Sequence, residues 1–157
     1  MINKLKLAIP VILSVLFLDR LSKVLVSNLM YLYQSVDVIG SFFRLIYVVN
    51  PYAAFSLNLG NWWIMMGLNL VAIIFIIYYF VISDGRERFK LFALSMILGG
   101  ALGNNYDRIF HREVVDFLEF GIGKARFAIF NVADMSVFFG VVFILFLTLR
   151  QQRDAKV

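Results

Sequence analysis

The sequence has no cysteine and only one histidine, His111. Without cysteine the chain has no disulfide, no thiol nucleophile and no thiolate metal ligand. With one imidazole and no HExxH motif, a histidine-built zinc site is not expected, and we predict neither a metal nor a cofactor. Charge is also scarce, because 16% of the 157 residues are charged and 62% are hydrophobic. An ordinary soluble domain with a polar surface is hard to build from this composition.

Linkers are missing as well. No Pro-, Ser- or Gly-rich stretch and no charge block divides the chain, so we expect one integral-membrane domain over residues 1–157. A bilayer-spanning helix needs roughly 20 mostly apolar residues. The windows that come near this length are about residues 7–26, 62–82, 89–106 and 130–149. The first window also resembles a signal peptide, but no small-residue cleavage site follows it, so we expect it to be retained.

The basic residues indicate how these windows are oriented. The net charge is +5, but the basic side chains form no stripe with interleaved aromatics, so we expect no nucleic-acid partner. They flank the windows on one side of the predicted membrane, as Lys4, Lys6, Arg86, Arg88, Lys90, Arg150, Arg153 and Lys156. By the positive-inside rule both termini are cytoplasmic. The connections at about residues 27–61 and 107–129 then face outward.

The two outward connections are predicted to contain strands. The stretch "SFFRLIYVVN" and the two runs that flank "GIGK" are rich in aromatic and β-branched residues. A four-residue loop at "GIGK" pairs Phe120 with Ala125, Glu119 with Arg126 and Asp116 with Ile129. This register returns Asp116 to the start of the fourth helix, where Asp134 lies one turn inside. The alternative is a surface hairpin in which Asp116 is merely solvated.

Polar side chains interrupt three of the apolar windows at one depth. Each ionisable group inside a membrane costs about 2.5–3.5 kcal/mol, so such groups usually face an interior or a polar cavity. The residues are Asp19, Lys23, Asn104, Asp107, Arg108, Asn131 and Asp134. Each has an ordinary explanation: the charges snorkel to water, Asn131 is a helix N-cap, and Gly99 with Gly103 serves helix packing. Together they indicate a site near the outer surface.

Two paired carboxylates can share a proton, because like charges a few ångströms apart do not both ionise cheaply. Asp116 with Asp134 is the pair that the hairpin favours, and peptide hydrolysis on it needs no metal. Three rival functions remain open. The first is a small proton-coupled transporter or channel, and the second is a noncatalytic assembly factor. The third is a serine protease with Lys23 as the base and Ser22 or Ser56 as the nucleophile.

Five motifs in order resemble those of one family over nearly the whole chain. "DRLSK" is similar to D-x-x-x-K, "NPYAAFSL" to N-x-G-A-A-F, and "GGALGNNYDR" to G-G-x-x-G-N-x-x-D-R. "VVDF" is similar to V-x-D-F and "FNVAD" to F-N-x-A-D. The family is lipoprotein signal peptidase, also called signal peptidase II, the aspartic protease of bacterial membranes. This chain departs from it at Tyr52, where the family usually has glycine, and since tyrosine does not easily adopt a positive φ we expect a different local loop shape there.

The resemblance implies a catalytic dyad of Asp116 and Asp134. It implies supporting or substrate-binding roles for Asp19, Lys23, Asn50, Asn104, Asp107, Arg108, Asn131 and Ala133. The implied fold is mainly α, with four transmembrane helices, a small extracytoplasmic β-cradle and a short surface helix. The implied substrate is a prolipoprotein cut just before its diacylglyceryl cysteine, and globomycin is the implied inhibitor. We expect a monomer in the bacterial cytoplasmic membrane, with membrane lipids as partners and an active site near the outer leaflet.

Overall fold

The computed structural model describes residues 1–51, 62–123 and 125–154. Its elements are α1 (Ile2–Leu29), β1 (Ser35–Ile39), β2 (Phe43–Asn50), α2 (Trp62–Ile82), α3 (Arg88–Phe110), β3 (Val114–Ile122), β4 (Ala125–Phe130) and α4 (Val132–Asp154). The helices match the four apolar windows, except that α4 begins two residues later than predicted, at Val132, and the strands occupy the two connections, as predicted. The short surface helix does not occur in the described ranges. Tyr52 and Ser56 lie outside them.

Helix α3 lies at the centre of the bundle and packs against α1, α2 and α4. Its glycines allow the close approach that small residues give to neighbouring helices. A Cβ atom on Gly100 would overlap the carbonyl oxygen of Ala133 and lie 2.8 Å from Val137 Cγ2. A Cβ atom on Gly99 would lie 3.0 Å from Val15 Cβ. The packing role predicted for the α3 glycines is therefore confirmed, and Gly100 also brings α3 against the start of α4.

Replacement of Gly100 by alanine should destabilise the protein. The added methyl group has no room beside Ala133, and overpacking of this kind costs about 1–3 kcal/mol. Gly67→Ala on α2 is the matched control, because no atom lies within 4 Å of its Cβ position. That control should be neutral or stabilising by up to about 1 kcal/mol. Thermal unfolding in detergent measures both variants, and equal midpoints would contradict the packing argument.

Burial in this bundle is the reverse of that in a soluble protein. Trp63 is 72% exposed and Phe89 is 68% exposed, whereas Asp19, Lys23 and Asp107 are each 3% exposed or less. In water, exposed aromatic side chains would be unfavourable and charged side chains would be better solvated at the surface. The observed distribution therefore fits a protein surrounded by lipid. Among the described helices only α4 is long and apolar enough to cross a membrane by length and composition. Four transmembrane helices therefore stay a prediction.

The four strands form one antiparallel sheet in the order β1-β2-β3-β4. The predicted hairpin register between β3 and β4 is wrong. The observed pairs are Leu118 with Phe130, Glu119 with Ile129, Gly121 with Arg126 and Ile122 with Ala125. Gly123 has a φ of +61°, which suits a short turn, and a bulge shifts the register between Glu119 and Gly121. Asp116 therefore lies opposite Val48 of β2 and not opposite Ile129.

Candidate active site

Asn131 immediately precedes α4 and caps it. Its side-chain Oδ1 accepts a hydrogen bond from the backbone N–H of Asp134 at 2.9 Å. In return, Asp134 Oδ2 accepts one from the backbone N–H of Asn131 at 3.1 Å. This reciprocal arrangement satisfies two backbone donors that a helix start leaves free, as in a capping box. The predicted N-cap is confirmed, and the cap also holds the Asp134 carboxylate at the mouth of α4.

Asp116 reaches the same point from β3. Asn131 Nδ2 donates to Asp116 Oδ1 at 2.7 Å, and Asn50 Nδ2 donates to Asp116 Oδ2 at 3.0 Å. The Asp116 residue is 4% exposed, so the alternative of a solvated surface carboxylate is wrong. Asn131 thus bonds to both Asp116 and Asp134. The predicted convergence of the two carboxylates occurs, although the predicted strand register does not.

The surroundings of Asp116 raise the pKa of its carboxyl to about 6. Burial is the largest cause, since it disfavours the charged form, and the nearby negative charge of Asp134 adds to it. The hydrogen bonds from Asn50 and Asn131 act in the opposite direction because they stabilise the carboxylate. Asp116 is therefore placed to hold a proton at a pH where an ordinary aspartate has lost it.

Asn104 of α3 connects this pair to a buried lysine. Its Nδ2 donates to Asp134 Oδ1 at 2.7 Å. Its Oδ1 accepts from Asn131 Nδ2 and from Lys23 Nζ, each at 3.1 Å. The Arg108 guanidinium donates to the backbone oxygen of Asn104 at 3.3 Å. One amide side chain therefore sets the orientation of Asp134 and joins it to the charges of α1 and α3.

Lys23 lies between two carboxylates inside the bundle. Its Nζ is 2.7 Å from Asp19 Oδ2 and 2.6 Å from Asp107 Oδ2. Asp19 Oδ1 also accepts the backbone N–H of Ala133 at 2.9 Å. This cluster ties α1 to α3 and to the start of α4. The explanation by snorkelling is wrong for these residues, because Lys23 is 2% exposed and both carboxylates are buried.

The serine protease alternative finds no support at Ser22, and Ser56, its other candidate nucleophile, lies outside the described residues. Lys23 Nζ makes its three hydrogen bonds to Asp19, Asp107 and Asn104, and not to the Ser22 hydroxyl. Ser22 Oγ donates to the backbone oxygen of Asp19 at 2.9 Å, within its own helix.

Arg20 belongs to the site's outer edge and was not predicted. Its Nη1 donates to Asp107 Oδ1 at 2.9 Å, and its Nη2 lies 3.2 Å from Nε2 of His111. The guanidinium also lies over the Tyr106 ring, 5.3 Å from its centroid. Arg20 adjoins Asp19 in "DRLSK", which was the available signal. Its partner lies 87 positions away in the sequence, so the pair appears only in the folded chain.

The site thus holds two carboxylates on one asparagine, at a position where burial favours a shared proton. Within the ranges that the structure describes, no group of three or more potential metal ligands comes together. The chemistry that this arrangement can perform is activation of water by one carboxylate and donation of a proton or hydrogen bond by the other. A four-helix bundle with exposed apolar faces around such a pair has the features of a membrane-embedded hydrolase.

Comparisons with known proteins agree with this class. The family described as Signal peptidase (SPase) II matches residues 11–150. A lipoprotein signal peptidase of Moorella thermoacetica is 43% identical over 131 residues, covering 83% of this chain and 84% of the relative. One from Francisella tularensis subsp. novicida is 40% identical over 147 residues, covering 90% of each. The chain belongs to the signal peptidase II family. The alternative of a transporter or channel is not supported.

The fold is also found among solved structures. One bacterial membrane enzyme, solved by the in meso method, superposes with a TM-score of 0.85 at 30% identity. The match covers 94% of this chain and 90% of that one. A second superposes with a TM-score of 0.81 at 31% identity, covering 90% and 92%. A membrane location follows from this likeness and from the family.

Proposed function

We propose that this chain is an aspartic endopeptidase that removes signal peptides from prolipoproteins, with Asp116 and Asp134 as its catalytic pair. The observation that carries the proposal is the single side chain of Asn131. It donates to Asp116 and accepts from the backbone of Asp134, and so holds two carboxylates at one place. The family match and the relatives named lipoprotein signal peptidase support the substrate class.

The two aspartates take different roles because their environments differ. Asp134 lies in the first turn of α4, where the helix dipole, the Asn131 N–H and the Asn104 amide oppose the effect of burial and stabilise its carboxylate. Asp116 has a raised pKa and keeps the proton. Asp134 then removes a proton from water while Asp116 donates a hydrogen bond to the scissile carbonyl. The new C–O bond forms, the C–N bond breaks, and the proton held on Asp134 passes to the leaving amine.

The membrane placement follows from which residues lie at each end of the bundle. Lys4 Nζ donates to the backbone oxygens of Val81 and Ser83, so the start of α1 and the end of α2 share one end. That end carries the basic residues and is cytoplasmic in this proposal, with both termini and with four spanning helices. The dyad lies at the other end, near the outer leaflet.

This depth suits a lipid-anchored substrate. A diacylglyceryl cysteine keeps its acyl chains in the outer leaflet and its peptide bond near the headgroups. A scissile peptide placed deeper would leave its backbone polar groups unsatisfied in hydrocarbon. Cleavage is therefore placed just before the lipidated cysteine. The protein acts as a monomer that needs no cofactor or nucleic acid, and globomycin is its expected inhibitor.

Cleavage of a defined precursor tests the proposal. The purified chain in detergent is mixed with a diacylglyceryl prolipoprotein, and mass spectrometry identifies the new N-terminus. We expect a product that begins at the lipidated cysteine, and no cleavage of the same precursor without lipid. A folded, monodisperse preparation that leaves the lipidated precursor intact would overturn the proposal.

The pH dependence of cleavage should report the Asp116 proton. With a pKa of about 6, the protonated fraction of Asp116 falls about tenfold per pH unit at higher pH, so kcat/KM should fall above about pH 6. Asn50→Ala removes a hydrogen bond that lowers the pKa of Asp116. The decline of kcat/KM with pH should therefore begin at higher pH in this variant. Rates measured from pH 4 to pH 9, roughly the range that spans both limbs, provide the check. An Asn50→Ala limb at the wild-type position would contradict the assignment.

A further inference from the structure

A cavity of about 800 Å³ lies at the end of the bundle away from the dyad. It is formed by the first turns of α1 and by the connection from α2 to α3. Four cationic side chains line it, against one carboxylate, Asp84. The cationic residues are Lys4, Lys6, Arg86 and Arg88. The proposed peptidase chemistry uses none of them.

The positive charge of this cavity is not neutralised within the described part of the chain. Lys6, Arg86 and Arg88 have no side-chain hydrogen bond or ion pair to any residue there. Lys4 donates to two carbonyl oxygens at the end of α2 and has no carboxylate partner in the same ranges. Asp84 Oδ1 accepts the backbone N–H of Arg86 at 2.9 Å and pairs with no cation among these residues. An anion is the ligand that this surplus favours.

The cavity also has apolar walls. Leu7 and Leu91 line it beside the cationic groups. Two sequence neighbours of the lining residues are also exposed and apolar: Leu5 is 41% exposed and Phe89 is 68% exposed. A free phosphate would leave this apolar surface in water, whereas a phosphate that carries acyl chains would cover it. Free phosphate and a lipid phosphate present the same oxygens, and the planar guanidinium groups of arginine can bind these oxygens in a bidentate manner.

We propose that this cavity binds the phosphodiester headgroup of an anionic glycerophospholipid. Lys6, Arg86 and Arg88 surround the phosphate, and the acyl chains run along the exposed apolar residues of α1 and α3. Basic pockets between helices at a cytoplasmic membrane surface bind such headgroups. The inference rests on the proposed membrane placement but not on the proposed chemistry of the dyad. Bound lipid would hold the start of α1 against the α2–α3 connection.

Lipid titration followed by native mass spectrometry tests this site. The purified full-length chain in neutral detergent is titrated with phosphatidylglycerol, with zwitterionic phosphatidylcholine, and with glycerol phosphate as the headgroup without chains. We expect phosphatidylglycerol to bind at least about tenfold more tightly than phosphatidylcholine, and each of Lys6→Gln, Arg86→Gln and Arg88→Gln to weaken it about fivefold. A double variant, Arg86→Gln with Arg88→Gln, is compared with a control double variant, Arg150→Gln with Arg153→Gln. The control removes the same charge from α4.

Three results would overturn the lipid site: equal affinity for the two lipids, glycerol phosphate competing as well as phosphatidylglycerol, or an equal loss in the α4 control. The prolipoprotein assay is run on the same variants, and their cleavage in detergent should persist because the dyad is untouched. A chain that selects phosphatidylglycerol without cleaving the precursor would refute the proposed function alone. A chain that cleaves without lipid selectivity would refute this inference alone.

Discussion

Asp116→Asn and Asp134→Asn should each reduce prolipoprotein cleavage by about 10²–10⁴-fold, the range that a lost general acid or base produces. Asparagine keeps the shape of the side chain but neither accepts a proton from water nor gives one to the leaving amine. Asn131 and Asn104 still hold the neighbouring groups, so the bundle should fold. Single-turnover cleavage in detergent, with far-ultraviolet circular dichroism as the folding check, measures the effect.

Asp37→Asn is the matched control for the dyad variants. Asp37 is an exposed aspartate on β1 that pairs with Arg44 of β2 in the strand register, away from the Asn131 cluster. Its variant should cleave at the wild-type rate. Near-wild-type turnover in either dyad variant would show that the pair is misassigned. The assembly-factor alternative makes the opposite prediction, since it allows both aspartates to be asparagine without loss of function.

Lys23→Met should cause the largest loss of stability among single substitutions in the site. It leaves Asp19 and Asp107 buried without their cation, and breaking a buried ion pair in this way costs about 3–5 kcal/mol. It also removes one of the two donors to Asn104 Oδ1, so cleavage should fall in the fraction that stays folded. Chemical or thermal unfolding in one detergent reports the free energy of unfolding.

Lys90→Met is the matched control for this change. Lys90 pairs with Glu87 at 3.3 Å, but both side chains are about one-third exposed. A surface pair of this kind contributes about 0–1 kcal/mol because water screens it. A Lys23 variant that unfolds at the same midpoint as the Lys90 variant would mean that the buried cluster does not stabilise the bundle.

The helices were predictable because a long apolar window is a local property. Each of the four windows became a helix of 21 residues or more. The strands were also predictable from β-branched and aromatic composition, but the hairpin register was not. A one-residue bulge before Gly121 and a turn at Gly123 decide the register, and short strand patterns carry little information about either.

The contacts of the polar site residues likewise divide into those that local sequence predicts and those that form only between elements. Asp19 with Lys23 is an i, i+4 pair, so one helix brings the two side chains together wherever the rest of the chain lies. Asn131 with Asp134 is an N-cap pair for the same reason. The link from Arg20 to Asp107 had no such local signal, because it crosses between two helices.

Local sequence therefore predicts the helices and strands, the apolar exposed surface and the candidate catalytic carboxylates, since composition, helical spacing and capping act within a few residues. The folded chain decided which groups on different elements meet. Asn131 serves both aspartates because β3 brings Asp116 to the start of α4, where α3 also packs at Gly100, and no short-range pattern encodes this meeting. The same packing removes water from Asp116 and raises the pKa of its carboxyl, so the proton that the proposed chemistry needs is a product of tertiary burial.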